Sequence, residues 1–208
     1  MGHADEQPLP VMVDSSCFLA LVHSAVEVYN RETSGLLVGA ERHRRIRGRT
    51  RRVLVLEGAY PYQTAARSVT WVSAGNSSAV QRARSAVDAL GFRIVGEYHS
   101  HTNNEHGLSH ADVEYAASAL RRRNGSAPRR WLELILGMRR KEYASARSSG
   151  FTWRDYPRKV GCTVTLAPRT GFDITLAGYW ISAEGEQVRC EEATIYAPWD
   201  KRVKREVL

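Results

Sequence analysis

The histidines of this chain are concentrated in one short segment. Four of the seven, His99, His101, His106 and His110, fall within twelve residues. The first two follow a β-rich segment, residues 92–98, and side chains two positions apart on a strand project from the same face. Two imidazoles on one face can chelate a single metal ion. A metal site at this strand end would need further ligands from another part of the chain.

A second pair of polar side chains follows at the start of a predicted helix. Ser109 and Asp112 are three positions apart, so they share a face of that helix. If the strand end and the helix start are neighbours, two imidazole nitrogens and one carboxylate converge and leave one tetrahedral position open, as in a catalytic zinc site. Zinc would bring the pKa of its bound water to about 7. The alternative is a capping box between Ser109 and Asp112, next to an ordinary surface histidine pair.

Hydrophobic periodicity and capping residues predict an α/β fold, with one central mixed sheet flanked by about three helices. Helices are predicted over 15–30 and 77–90, and from Ser109 to the Asn124–Gly125 pair. Strands are predicted over 35–39, 51–56, 68–72, 92–98 and 131–138, followed by closing strands over 160–166, 172–181 and 187–196. Residues 58–66 have the composition of a turn, and no element is predicted over 139–159.

The length and composition are those of one globular domain. The chain has 208 residues, of which 43% are hydrophobic and 25% charged. We expect a polar N-terminal tail over 1–10 and a single domain over 11–208, with its motifs at 32–112 and its closing strands at about 160–197. No apolar run approaches about 18 residues and no secretory signal is visible, so we expect a cytoplasmic protein without membrane segments. The three cysteines are far apart, which argues against a disulfide framework and a cysteine-based zinc site.

Arginine dominates the charge of the chain. The formal net charge is +8, and only four of the 30 basic residues are lysine. Seven arginines lie between Arg42 and Arg52 around Gly48, which predicts a hairpin turn or loop. The charge fits an acidic protein partner, a nucleic acid, or merely an arginine-rich coding bias. Nucleic-acid binding is not favoured, because the arginines are not interleaved with aromatic residues that could stack on bases.

The histidine segment resembles the signature of a known family. The pattern His99-x-His101, seven residues, then Ser109-x-x-Asp112 is similar to that of the JAMM metalloproteases, whose domain is also called MPN or JAB. A second element of that family, a glutamate followed by G-L-L-x-G, is present as Glu32 and residues 35–39. The sequence GEYHSH, residues 96–101, resembles that of the bacterial branch of the family. The resemblance covers roughly residues 11–140, and it implies a single JAB-type domain.

The resemblance also implies roles for five residues. His99, His101 and Asp112 would hold one catalytic Zn²⁺, Glu32 would act as the proton shuttle, and Ser109 would donate a hydrogen bond to the oxyanion. On the residues alone, Glu97 is an equal rival of Glu32, because it lies two positions before His99; the resemblance favours Glu32. His106, His110 and Glu105 are predicted to be solvated residues. The sequence departs from the family at Thr102, where many members have proline, and this predicts a less constrained loop.

The function implied by the resemblance is zinc-dependent peptide or isopeptide hydrolysis. The substrate would be a ubiquitin-like protein cut after its C-terminal glycine tail, by deconjugation or precursor maturation in a bacterial ubiquitin-like pathway such as an antiphage system. The alternative is trimming of a sulfur-carrier protein to expose its Gly-Gly end. A non-catalytic scaffold and a nucleic-acid binder are the less favoured classes. No long insertion indicates a specific chain linkage, and the sequence does not determine the oligomeric state.

Overall fold

The computed structural model of the chain describes residues 8–63, 66–69, 72–73, 76–121, 130–166, 168–197 and 199. Within these ranges the helices are α1 (Ser15–Glu27), α2 (Ser77–Ala89) and α3 (His110–Arg121). The strands are β1 (Val11–Val13), β2 (Ser34–Ile46), β3 (Arg49–Pro61), β4 (Ala66–Arg67), β5 (Val72–Ser73), β6 (Ile94–His101), β7 (Arg130–Glu142), β8 (Gly150–Asp155), β9 (Val160–Leu166), β10 (Thr170–Glu184), β11 (Gln187–Ala193) and β12 (Ile195–Tyr196).

Local capping explains where the first two helices begin. The Asp14 carboxylate accepts a hydrogen bond from the backbone N–H of Cys17 at 2.7 Å, and the Asn76 side chain accepts one from Ala79 at 3.0 Å. Each bond satisfies an N–H that has no partner inside its helix. Gly91 follows α2 with a φ of 78°, a conformation that glycine adopts without strain. The three predicted helices are therefore confirmed, and none of the described helices is long and apolar enough to span a bilayer.

Two of the sequence predictions cannot be compared with this structure. The predicted end of the third helix at Asn124–Gly125 lies outside the described residues, and so does most of the predicted tail over 1–10. The described part of α3 ends at Arg121.

Ten strands form one mixed sheet. Its order is β12-β1-β3-β2-β6-β7-β10-β9-β8, and β11 pairs with the half of β10 that β9 leaves free. The β6–β7, β1–β3 and β1–β12 pairs are parallel. Because a parallel pair needs a crossover connection, the chain between β6 and β7 can carry α3 across the sheet. This connection brings the start of α3 back to the end of β6.

The sheet curls on itself. Only Thr194 separates β11 from β12, yet β11 pairs with β10 and β12 pairs with β1 at the far end of the strand order. The two regions lie close together, since a Cβ added at Gly178 would sit 2.6 Å from the Cδ1 atom of Ile195. The sheet is a large curled half-barrel. The predicted α/β class and mixed sheet are confirmed, but the expectation of a simple central sheet flanked by helices is wrong.

Several predicted strand boundaries are also corrected. Residues 58–66 are not a turn at their start, because β3 continues to Pro61 in register with Gly35. Pro61 is the last residue of that strand, where its missing N–H removes little from the ladder. Of the strand predicted over 68–72, Ser68 and Val69 are not part of a strand, Val72 belongs to the short β5, and residues 70–71 lie outside the described ranges. The strand predicted over 187–196 is interrupted at Thr194, and residues 139–159 contain the end of β7 and all of β8.

The arginine-rich segment is a hairpin. β2 and β3 remain paired as far as Ile46 and Arg49, and the turn consists of Arg47 and Gly48, both with positive φ. The predicted hairpin is confirmed, although most of the arginines lie on its strands. Arg42 pairs with Glu57 at 3.1 Å, so part of the charge is compensated within the hairpin.

The two faces of the sheet carry different helices. The main core packs α1 against one face, where Cys17, Leu21, Leu134 and Leu136 are buried. On the opposite face a smaller cluster joins residues of α2 and α3 to Trp131 of β7. The side chains of β6 alternate between these faces. His99 and His101 therefore project together to the side of the sheet on which α3 begins.

The glycines of the G-L-L-x-G element are required by the packing of β2 on β3. A Cβ at Gly35 would lie 2.2 Å from the carbonyl oxygen of Tyr60, which is closer than any real contact. We expect Gly35→Ala to lower the free energy of unfolding by about 1–3 kcal/mol in a urea titration, because the strands must separate to admit the methyl group. Gly150→Ala is the matched control, since a Cβ there meets nothing within 4 Å. Equal stability of the two variants would contradict this explanation.

Candidate metal centre

The two histidines at the end of β6 face each other. Their Nε2 atoms are 3.1 Å apart, and the rings lie on the side of the sheet where α3 begins. Ser100 between them points the other way and is fully buried. The predicted shared face of His99 and His101 is therefore present. Two ring nitrogens at this separation can bind one ion.

The start of α3 supplies a carboxylate to the same place. The Asp112 Oδ2 atom is 3.7 Å from the Nε2 atom of His99. One ligand atom from each of His99, His101 and Asp112 lies within 4.8 Å of the others. Two imidazole nitrogens and one carboxylate oxygen are a donor set that suits Zn²⁺ with a fourth position open. The arrangement can thus hold a metal ion and leave room for a water molecule or a substrate.

Ser109 and Asp112 also form the capping box that was the alternative interpretation. The backbone N–H of Ser109 donates to Asp112 Oδ2 at 2.8 Å, and the Ser109 hydroxyl does so at 2.7 Å. In return, the N–H of Asp112 donates to the Ser109 hydroxyl at 3.2 Å. The two interpretations are compatible, because the cap fixes the carboxylate while the carboxylate faces the histidines. The Ser109 hydroxyl consequently lies beside the metal ligands.

Burial prepares His99 to act as a ligand. The ring is 9% exposed, and burial lowers its pKa despite the nearby Asp112 carboxylate. At neutral pH the imidazole is therefore neutral and offers a lone pair, as metal binding requires. The Nδ1 atom of His101 is buried and, among the described residues, lacks a hydrogen-bond partner.

Glu32 is held close to the histidines by a reciprocal pair of bonds. The N–H of Thr33 donates to the Ser100 hydroxyl at 2.9 Å, and the N–H of Ser100 donates to the Thr33 carbonyl at 2.8 Å. The next residue, Ser34, is in register with His99. Glu32 is 8% exposed and lines the same cleft as the three candidate ligands. Burial first, and then the Asp112 charge, raise its pKa to about 7, which suits a group that takes up and releases a proton near neutral pH.

The raised pKa of Glu32 predicts a pH dependence of stability. Between its ordinary pKa of 4.5 and the folded value of about 7, the folded protein keeps a proton that the unfolded chain has lost. Folding is therefore weakened as the pH rises through this window. In urea titrations with excess chelator, we expect wild type to lose more stability between about pH 5 and about pH 8 than Glu32→Gln, which has no proton to lose there. Parallel pH profiles for the two proteins would contradict this assignment.

Glu97, the rival base, is engaged elsewhere. It is 7% exposed, accepts a hydrogen bond from the Tyr62 hydroxyl and forms an ion pair with Arg84 of α2. The cleft has a volume of about 760 Å³ and is lined by Glu97 as well as by Glu32. Both carboxylates thus reach the cleft, but Glu97 has a cationic partner on the α2 side.

The remaining predicted residues lie at the edge of the site. His106 and His110 are outside the group of converging ligand atoms, and Glu105 is an exposed residue of the cleft wall. The Thr102 hydroxyl donates to the Val69 carbonyl at 3.1 Å, so the loop after His101 is bound to the β4–β5 connection. The loop is further held by the N–H of Asn104, which donates to the Met138 carbonyl at 3.0 Å.

Three contributors were missed by sequence reasoning. Ser100 binds the backbone next to Glu32 and so holds this segment against β6. Arg84 forms an ion pair with Glu97. The buried Glu133 lies beside His99, with 3.9 Å between Oε2 of the glutamate and Nδ1 of the ring. A charged residue in the middle of the apolar segment WLELIL is the signal that marks Glu133. Ser100 and Arg84 have no such signal, because their roles depend on contacts between distant segments.

Comparison with known proteins assigns the fold and the family. A family model described as prokaryotic homologs of the JAB domain matches residues 14–153, more than half of the chain. The chain belongs to the prokaryotic JAB family. The match includes every element of this JAB domain that carries a candidate ligand, and it ends within β8. The resemblance recognised from the histidine and glutamate motifs is thereby confirmed.

A solved structure extends the similarity beyond the family match. The solution structure of protein DSY2949 from Desulfitobacterium hafniense is similar to this JAB domain with a TM-score of 0.50. The two are 16% identical, and the alignment covers 90% of this chain and 92% of the other. At this identity the comparison shows a shared fold, including the closing strands. No curated protein is similar enough in sequence to count as a match.

Proposed function

We propose that this JAB domain is a zinc-dependent peptidase that cuts the peptide or isopeptide bond after the C-terminal glycine tail of a ubiquitin-like protein. The proposal rests on one observation, the convergence of His99, His101 and Asp112 in a cleft that also contains a buried glutamate. The family includes metalloisopeptidases. The ubiquitin-like substrate is the part of the proposal that comes from the family resemblance, and the proposed cytoplasmic location comes from the sequence, in which no secretory signal is visible.

The proposed chemistry divides the work among five side chains. A Zn²⁺ ion held by His99, His101 and Asp112 would supply a Lewis acid for the scissile carbonyl and an acidified water as nucleophile. Glu32 takes the proton of the attacking water and later delivers it to the leaving amine. The Ser109 hydroxyl donates its proton to Asp112 Oδ2 in this structure, and in the proposed reaction it donates that hydrogen bond instead to the oxyanion that develops on the substrate.

The environment of the two glutamates supports Glu32 as the proton shuttle. Glu97 forms an ion pair with Arg84 and accepts a hydrogen bond from Tyr62, so its carboxylate already has two protein partners. Among the described residues, no Lys, Arg or His side chain forms an ion pair with Glu32. The backbone next to Glu32 is instead fixed by the hydrogen bond between Thr33 and Ser100. A carboxylate that must exchange protons needs such freedom from a permanent cation.

The decisive experiment is cleavage of a fusion protein. A candidate bacterial ubiquitin-like protein is joined through its C-terminal glycine to a reporter, and the products are identified by mass spectrometry. We expect the zinc-loaded protein to cut directly after that glycine, and we expect excess chelator to stop the reaction. A matched fusion with the two terminal glycines replaced by valine should resist cleavage, because the proposed substrate has no side chains next to the bond that is cut.

Parallel fusions distinguish the substrate classes. One set carries a ubiquitin-like modifier on a lysine side chain, and another carries a sulfur-carrier protein extended beyond its Gly-Gly end. Preference for the first set supports deconjugation, whereas preference for the second supports sulfur-carrier processing. Absence of cleavage of every glycine-tailed fusion by protein that contains one equivalent of zinc would overturn the proposed function.

A further inference from the structure

The proposed chemistry leaves one buried carboxylate near the site without a role. Glu133 lies on β7, in register with Glu97 of the parallel strand β6, and is 4% exposed. Its side chain projects to the same face as His99, with Oε2 at 3.9 Å from the Nδ1 atom of that ring. Among the described residues, no other Lys, Arg or His side chain forms an ion pair with Glu133. A buried carboxylate is expensive to maintain unless a partner uses it.

The two oxygens of Glu133 have different partners. The indole N–H of Trp131 donates to Oε1 at 2.7 Å, and Trp131 is itself 1% exposed. This bond fixes the carboxylate plane and leaves Oε2 directed at His99. Burial and the neighbouring Glu97 and Asp112 carboxylates raise the pKa of Glu133, while the hydrogen bond from Trp131 and the charge of Arg84 act in the opposite direction.

The two rings of the histidine pair differ in their support. The Nε2 atoms of His99 and His101 face each other, so the Nδ1 atoms point away from the candidate metal position. On His99 that outer nitrogen faces Glu133, whereas on His101 it is buried without a hydrogen-bond partner among the described residues. A ligating imidazole keeps its lone pair for the metal when the other nitrogen carries the hydrogen and donates it to a carboxylate.

We propose that Glu133 is a positioning residue, which accepts a hydrogen bond from Nδ1 of His99 and so keeps the Nε2 lone pair of that ring directed at the metal. The inference depends on the metal centre of the proposed function, but not on the substrate. A shift of about 1 Å between the two side chains brings the present separation to hydrogen-bond length. Trp131 acts one step further from the metal, because its indole N–H donates a hydrogen bond to the Glu133 carboxylate, which in turn orients the His99 imidazole.

The test is the affinity of the purified protein for Zn²⁺, measured by competition with a chromophoric chelator. Glu133→Gln keeps an acceptor for the Trp131 indole and removes the charge. We expect it to bind zinc about 10- to 100-fold more weakly than wild type. Glu133→Met has no acceptor and should bind more weakly still. Trp131→Phe, which releases the carboxylate without removing it, should show a smaller loss.

Unfolding of the metal-free proteins separates this role from a purely structural one. Glu133→Gln replaces a buried ionisable group with a neutral amide and keeps the indole acceptor, so we expect its urea midpoint in excess chelator to be equal to or higher than that of wild type. Wild-type zinc affinity in Glu133→Gln would overturn the proposal and leave the metal centre intact. A lower midpoint with unchanged affinity would identify a structural residue and would also overturn it. Failure of wild type to bind zinc would instead overturn the metal centre itself.

Discussion

Asp112→Asn is expected to bind Zn²⁺ at least about 100-fold more weakly than wild type. This loss of affinity is larger than that caused by removing a residue that only hydrogen-bonds to a metal ligand. The physical reason is that a neutral amide replaces the anionic ligand, while two imidazoles alone leave the site incomplete. Peptidase activity at micromolar zinc should fall to background. The measurements are a zinc competition titration and the fusion-cleavage assay.

Asparagine is the informative substitution because it separates the two roles of Asp112. Its side-chain amide would still offer an oxygen to the backbone N–H of Ser109, whose present bond to Asp112 is 2.8 Å long. The helix cap, and with it the stability of the metal-free protein, should therefore change little. Asp112→Ala removes both functions and should lower the urea midpoint as well as the zinc affinity. Retention of wild-type zinc affinity by Asp112→Asn would show that the carboxylate only caps α3.

Glu32→Gln is expected to lose activity by a factor of about 10² to 10⁴ while it still binds zinc with near wild-type affinity. The role proposed for Glu32 in the cleft is to transfer protons, and glutamine has the same shape but no proton affinity near neutral pH. The measurements are initial rates on the glycine-tailed fusion and the zinc content of the same preparation. Loss of rate with retained metal is the result that separates a proton shuttle from a ligand.

The rival glutamate provides the comparison. Glu97→Gln weakens the ion pair with Arg84, so we expect a lower urea midpoint and a smaller decrease in rate than for Glu32→Gln. If Glu97→Gln lost the larger share of activity with its zinc retained, Glu97 would be the shuttle. Equal and complete losses in both variants, with no metal bound, would indicate that the two carboxylates are needed to assemble the site.

Local sequence rules were sufficient to predict those features that are formed by residues close together in the chain. The strand-end histidines share a face because side chains alternate along β6, and Ser109 begins a helix because its hydroxyl caps the N–H of Asp112. The hairpin at Arg47 and Gly48 and the three helices follow from equally local signals. The family motif then joined these pieces, since the spacing of its residues already reflects a common fold.

The rest depends on contacts that no local pattern encodes. The reciprocal bonds of Thr33 with Ser100 link residues 67 positions apart, and the Arg84–Glu97 pair unites α2 with β6. The curl of the sheet arises from the different partners of β11 and β12, which a single alternating pattern over 187–196 does not reveal. Composition likewise suggested a turn over 58–66, whereas pairing with β2 keeps β3 extended through Pro61.

The parallel pairing of Val11 with Ile195 has a consequence for biosynthesis. The first of the described strands acquires this neighbour only after Ile195 has been translated. Until then one edge of β1 has unpaired backbone N–H and C=O groups, and such exposed edges can pair with strands of other nascent chains. Long-range pairing of this kind also makes folding slow. Recombinant expression of this protein should consequently benefit from low temperature and slow induction, and C-terminal truncations ahead of residue 195 should accumulate in inclusion bodies.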